Sequence, residues 1–320
     1  MDYRRLGKSG LQVSALSLGS WVTFGSQVEN RMAEDLMKLA YDKGVNFFDN
    51  AEGYAAGKSE EVMGTILRKM GWSRDTFLVS SKVFWGGDKP NQTGLCRKHV
   101  FEACHAALKR LQVDYLDMYF CHRPDPNTPI WETVRTMNTL IEQGKILYWG
   151  TSEWSAREIQ EAIGIAESHH LIPPTMEQPY YNLLGRDRLD KELAPLFESR
   201  NGLGTTIFSP LAGGLLTGKY NEGIPEDSRY GQKSLQWLKE MMFADWETSL
   251  RRIKALGKIA DELGVPMARM SLAWCLTNPN VSTVIMGASR EAQLEENLKS
   301  LEVLPKLTPE VLEAIDKATA

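Results

Sequence analysis

Gly19-Ser20-Trp21-Val22-Thr23-Phe24-Gly25 follows the first short apolar run of the chain, Ala15-Leu16-Ser17-Leu18-Gly19, and it decides between two folds. Alternating strands and helices can build an open doubly wound sheet or a closed barrel. The open sheet, when it binds a dinucleotide, carries a G-x-G-x-x-G turn after its first strand, where backbone must approach a pyrophosphate. Residues 19–25 lack that spacing. The reading is therefore an α/β fold of the (β/α)₈ barrel (TIM barrel) type, and residues 1–320 form one domain.

Seven more strand candidates follow, at 46–49, 76–82, 115–120, 147–150, 174–178, 204–208 and 281–286. Most are short and continuously apolar, as parallel strands must be when helices cover one face and barrel side chains fill the other. Between them apolar residues recur with helical period. Ala33, Leu36, Met37, Ala40 and Tyr41 form one stripe, and Val100, Ala103, Cys104, Ala107, Leu108 and Leu111 a second. Ile130, Thr133, Val134, Met137, Leu140 and Ile141 form a third. Gly44, Gly144 and Gly264 sit where helices must turn out through left-handed backbone. Tyr3 to Val13, centred on Gly7-Lys8-Ser9-Gly10, reads as a hairpin that could close the barrel floor. The long irregular stretch after the seventh strand, about 213–245, reads as a cover for a cofactor or substrate.

Composition narrows the function. The 320 residues carry a net charge of only −4 and no long basic run, which argues against nucleic acid as a partner. The N-terminal residues have no apolar core of the secretory kind, and no window reaches the roughly 20 apolar residues of a membrane helix. Cys96, Cys104, Cys121 and Cys275 form no CxxC pair, so reduced thiols and a cytoplasmic location are expected.

Barrel enzymes keep their chemistry at the C-terminal ends of the strands. Here the second strand ends in Asp49 and runs on to Tyr54, the third ends in Lys82, and the fourth ends in Cys121-His122-Arg123-Pro124. Singly, a tyrosine after a strand or a strand-end lysine is more often structural. Together they are complementary. A phenol is a poor acid at neutrality, and a lysine ammonium beside it should lower its pKa. Asp49 would hold Lys82 charged, and His122 could donate to a carbonyl oxygen. That set can deliver a proton to an oxyanion as hydride reaches carbon.

At these residues the chain resembles the aldo-keto reductases, and most specifically the branch of voltage-gated potassium-channel β-subunits with their plant and microbial relatives. The resemblance spans essentially the whole chain. It is carried by Leu6-Gly7-Lys8-Ser9-Gly10-Leu11-Gln12-Val13-Ser14, Phe48-Asp49-Asn50-Ala51-Glu52-Gly53-Tyr54, Lys82-Val83-Phe84-Trp85-Gly86-Gly87, His122-Arg123-Pro124-Asp125-Pro126, Tyr148-Trp149-Gly150-Thr151-Ser152, Ser209-Pro210-Leu211 and Gly287-Ala288-Ser289. It implies a catalytic tetrad of Asp49, Tyr54, Lys82 and His122 and a cofactor of NADPH/NADP⁺. Ser20, Trp21, Gln27 and Asp49 would be among the residues that bind that cofactor. Ser152 and Gln178 would hold the carboxamide, and Phe208 would stack on the nicotinamide. Ser209, Pro210, Leu211, Gly213 and Lys219 would line the pyrophosphate, and Arg229 would reach over it. Gly287, Ser289, Arg290, Gln293, Glu296 and Asn297, around the start of the last helix, would take the adenosine half. Arg290 suits a 2′-phosphate and so favours NADPH over NADH.

Trp21, Tyr54, Trp85 and His122 are expected at the substrate pocket, and small aldehydes and ketones are the implied substrates. Relatives in this branch form tetramers, so a homo-oligomer is expected; a channel partner does not follow from the residues. Two departures matter. Channel subunits often carry Asn where this chain has His122, and Arg where it has Glu153, so turnover is favoured and one nucleotide contact is put in doubt. The competing reading is a regulatory subunit that senses cofactor redox state and turns over slowly. A metal-dependent hydrolase would need more His, Asp and Glu at the strand ends, and no metal is expected.

Overall fold

Eight short parallel strands close on themselves in the computed structural model, which describes residues 1–21, 23–25, 29–200, 202–221, 223–225, 231 and 245–319. A two-stranded hairpin comes first, β1 (Tyr3–Arg5) antiparallel to β2 (Gln12–Ser14). The barrel strands are β3 (Leu16–Gly19), β4 (Phe47–Asp49), β5 (Leu78–Val83), β6 (Leu116–Cys121), β7 (Ile146–Ser152), β8 (Met176–Gln178), β9 (Gly204–Ile207) and β10 (Thr283–Met286). They pair in chain order, and β10 closes the ring on β3 with Val284 opposite Leu16.

Helices return the chain between strands: α1 (Asn30–Asp42), α2 (Lys58–Met70), α3 (Arg97–Leu111), α4 (Ile130–Glu142), α5 (Ala156–Ser168) and short α6 (Ala194–Glu198). Two helices, α7 (Trp246–Glu262) and α8 (Met267–Thr277), lie between β9 and β10. After β10 come α9 (Glu291–Leu298) and α10 (Pro309–Thr319). The segment around Gly287 to Asn297 therefore opens the penultimate described helix. The sequence missed this because α10 follows without a strand between. Gly44, Gly144 and Gly264 do take left-handed backbone, with φ of 88°, 66° and 64°.

Strand period two sorts the side chains. Phe47, Met118, Phe120, Met176 and Ile285 point into the barrel and pack with Leu6 and Val13 of the hairpin. Phe48, Val79, Tyr119, Cys121 and Trp149 point out, into the layer packed with the helices. The hairpin thus plugs the floor. It is fastened there by Arg4, which donates to the carbonyls of Val281 (2.8 Å) and Leu276 (2.7 Å), and by Lys8 N–H to the Gly202 carbonyl (2.9 Å).

Several strand ends differ from the sequence reading. β5 starts at Leu78 because Arg74–Thr76 forms a 3₁₀ turn, and it runs one residue past Lys82. β9 stops at Ile207, leaving Phe208 in a single bridge with Tyr180. Ala212–Thr217 is a 3₁₀ turn, and most of the expected cover over 213–245 lies outside the described residues. No described helix is long and apolar enough to cross a membrane.

Candidate active site

The same alternation that turns Phe47 and Phe120 inward turns Asp49, Lys82 and His122 inward one step higher, at the barrel mouth. Lys82 is fully buried and still charged, because each of its three N–H groups finds an oxygen. It donates to Asp49 Oδ2 at 2.6 Å, to the Asn50 carbonyl at 2.8 Å and to Tyr54 Oη at 3.1 Å. Burial works against that charge, but Asp49 and Tyr54 outweigh it and hold the Lys82 pKa above its ordinary value. Asp49 is itself held by Ser80 Oγ (2.8 Å) and Gln178 Nε2 (3.2 Å) on Oδ1.

Tyr54 is aimed inward by the loop beyond β4. Ala55 and Ala56, next in the chain, both adopt left-handed backbone (φ 48° and 52°), a strained pair that turns the chain sharply into α2. Burial raises the Tyr54 phenol above its usual value, and the neighbouring charge of Lys82 only moderates the rise. This corrects the expectation of a net lowering: the low dielectric outweighs the ammonium in the protein alone. Burial also drives His122 well below its ordinary pKa, helped by the charges of Lys82 and Arg123, so its ring is neutral. Its Nδ1 is buried with no hydrogen-bond partner among the described residues. The ring stands edge-on to Tyr54 (5.7 Å between centroids) and to Trp85 (4.8 Å).

Two spaces meet above this cluster. A cavity of about 840 Å³ is lined by Trp21, Tyr54, Trp85, His122, Arg123, Ser152, Glu153, Gln178, Tyr180 and Phe208, with Gly53 at its edge. All four expected substrate-pocket residues are there. From Tyr54, Asp49 and Gln178 a narrower groove of about 220 Å³ runs past Trp21 and Phe208 through Ser209, Pro210, Leu211, Gly213 and Lys219. It ends at Gly287, Ser289, Gln293 and Asn297 beside the start of α9. Ser289 N–H donates to Gln293 Oε1 at 2.9 Å, which ties the strand exit to that helix.

Two expected contacts point elsewhere, and a third lies outside the groove wall. Ser20 is buried with its hydroxyl donating to the Asp49 carbonyl (3.0 Å), so it braces the end of β4 and does not line the groove. Glu296 faces away, paired with Arg269 and, at 3.2 Å, with Lys299. Arg290 is exposed at the N-cap of α9 and is not part of the groove wall. Gln27 and Arg229 lie outside the described residues. Ser152 lines the larger cavity alone, its hydroxyl donating to the Gln178 carbonyl (2.9 Å).

The sequence reading missed Gly214, Thr217 and Leu272 in the groove, and Arg123, Glu153 and Tyr180 in the cavity. Arg123 was readable as a charge beside a strand-end histidine; Tyr180 carried no signal. Glu153 takes a left-handed conformation (φ 59°) and accepts from Tyr180 N–H (2.7 Å) and Arg188 (3.0 Å). It braces the rim, and it does not point along the groove. Arg188 also reaches the fully buried Glu177 (3.0 Å), whose pKa burial lifts to about 7. Among the described residues no His, Cys, Asp and Glu cluster could hold a metal.

The comparisons with known proteins agree with this geometry. The profile of the aldo/keto reductase family matches residues 15–320. A probable voltage-gated potassium channel subunit beta of Arabidopsis thaliana is 51% identical over 318 residues, 99% of this chain and 96% of that protein. One of the same description from Oryza sativa subsp. japonica is 51% identical over 317 residues, with the same coverage. On these grounds the chain belongs to the aldo/keto reductase family, a family of oxidoreductases that generally use NAD(P)H.

Proposed function

We propose that the protein reduces aldehydes and ketones to alcohols with NADPH, and that Tyr54 delivers the proton. The observation that carries this reading is the buried Lys82 ammonium, satisfied by Asp49, Asn50 and Tyr54, the last of which lines both spaces. The groove suits a dinucleotide. It is narrow, it has a lysine and the amides beside the start of a helix at its far end, and its near end opens onto Tyr54 between Gln178 and the ring of Phe208. Gln178 would hold the carboxamide, Phe208 the ring face, and Lys219 the pyrophosphate by its charge. Exposed Arg290 would meet a 2′-phosphate.

When bound, NADPH supplies the hydride that the carbonyl carbon accepts. The residues of the chain do the rest. Neutral His122 and Tyr54 orient the carbonyl oxygen. Tyr54 gives up its proton to that oxygen, and Lys82 stabilises the phenolate left behind. A raised phenol pKa keeps the proton on Tyr54 until charge develops on the substrate. Trp21, Trp85 and Phe208 exclude water from the reacting atoms.

The test is NADPH oxidation over a panel of small aldehydes, run beside NADH. Tyr54→Phe should bind NADPH as the parent does, by fluorescence titration, and lose about 10²-fold or more of its turnover. Equal rates would remove Tyr54 from the acid role. The printed descriptions of the plant relatives favour a second reading, a channel-associated subunit that binds cofactor and turns over slowly. Rates far below one per second with every aldehyde, at full NADPH occupancy, would favour it.

A further inference from the structure

Two arginines stand near the larger cavity, Arg123 in its wall and Arg188 bonded to its wall residue Glu153, and they differ in one respect. Arg188 is paired with two carboxylates: it bonds Glu153 (3.0 Å) and Glu177 (3.0 Å), and it also reaches the Trp154 carbonyl. Arg123 is not. One of its nitrogens, Nη1, donates to the His122 carbonyl and reaches Ser152 Oγ only at 3.5 Å; its Nε and Nη2 have no acceptor among the described residues. No carboxylate lies within ion-pair distance of it among those residues. The nearby carboxylate, Glu153, is committed to Arg188 and to Tyr180 N–H.

The position of Arg123 is equally specific. It directly follows His122 and lines the same cavity as Tyr54. Its guanidinium lies 5.2 Å from the centre of the Trp85 ring, the ring that also packs against His122. Trp85, 45% exposed, and Tyr180 add aromatic surface to the wall of the same cavity. A half-buried guanidinium with free N–H groups is a fork for a planar anion, and it recognises carboxylates better than any ammonium does.

We propose that Arg123 is a substrate anchor, and that the preferred substrates are aldehydes bearing a carboxylate a few ångströms from the carbonyl. This rests on the reductase reading above and names its substrate class. The carbonyl end would lie at Tyr54 and His122, the carboxylate on Arg123, and the connecting carbons against Trp85.

The experiment compares matched pairs in steady state with NADPH: 4-oxobutanoate against butanal, and 4-carboxybenzaldehyde against its methyl ester. The acid of each pair should have the higher kcat/KM by about 10- to 100-fold, the range a charge-assisted hydrogen bond supports, with most of the difference in KM. In Arg123→Met the acid-to-neutral ratio should fall to near one, and Arg123→Lys should restore part of it. A ratio near one in the parent, or a ratio unchanged in Arg123→Met, overturns the anchor. If neutral aldehydes are reduced in a Tyr54-dependent way while the ratio is one, the anchor fails and the reductase reading stands. If no aldehyde is reduced, the reductase reading fails, and calorimetry with 4-(hydroxymethyl)benzoate on the NADP⁺-loaded protein decides the anchor separately. Binding that weakens about tenfold or more in Arg123→Met supports it; equal binding, or none to the parent, overturns it.

Discussion

Lys82 and Glu177 are both fully buried, yet the protein treats their charges in opposite ways. Lys82 keeps its proton because three oxygens surround it. Glu177 has Arg188 and Thr151 as partners, and burial still lifts its pKa from the ordinary 4.5 to about 7. The folded chain therefore holds this proton between pH 4.5 and 7 where the unfolded chain releases it, so Glu177 favours folding most at low pH. That contribution is lost as pH rises through 7. Chemical denaturation of parent and Glu177→Gln across pH 4.5 to 8 should show the parent losing stability more steeply over this window; parallel curves would dismiss the linkage. Neutral His122 should leave no inflection near its ordinary pKa in the pH–rate profile. The gathering of Asp49, Tyr54, Lys82 and His122 was legible because strand-end ionisable residues stand out in sequence. The direction of the Tyr54 shift was not, because it depends on how little water surrounds the phenol. Nor was the failure of Ser20 and Glu296 to reach the groove, since neither residue's type records where its side chain points.

At the level of elements, the helical stripes predicted on α1, α3 and α4 are the faces that pack. Ala33, Leu36, Met37 and Ala40 are buried on α1, and Val134, Met137 and Leu140 on α4. What period alone does not give is how closely two helices approach. Gly64, in α2, marks such an approach: a Cβ there would lie 2.2 Å from the Arg110 carbonyl oxygen of α3, which is backbone and cannot rotate away. Gly164, on the exposed face of α5, would meet nothing within 4 Å. Glycine-to-alanine exchange in a free helix face gains about 1 kcal/mol. Gly164→Ala should approach that gain, whereas Gly64→Ala should cost roughly 1–3 kcal/mol through overpacking. Urea denaturation of the two variants checks it, and equal effects would remove the close approach as the cause. The strand ends were legible only to within a residue or two, because a β-branched residue such as Thr76 favours a strand yet here closes a 3₁₀ turn.

The molecule as a whole separates what holds it together from what reacts. The floor is closed by Leu6 and Val13 against Phe47, Met118, Phe120, Met176 and Ile285, and the tetrad stands at the other end of the same strands. Barrel and hairpin were both readable, the first from eight apolar runs and the second from Gly7-Lys8-Ser9-Gly10. The hairpin was expected to close the floor, but that Leu6 and Val13 fill it was not legible, because the hairpin reading does not say which of its side chains point inward. Leu6→Ala should cost about 2–5 kcal/mol in denaturant, as a cavity in a closed barrel cannot collapse. KM for aldehydes should be unchanged, and a shifted KM would mean that floor and mouth are mechanically coupled. The hairpin also fixes which way the molecule faces when held. Tyr3 Oη donates to the Gly44 carbonyl, and Met1 packs beside Gly44, both at the floor. A surface or fusion partner tethered through Met1 would thus lie behind the barrel and leave the opening at Trp85 turned toward free solution.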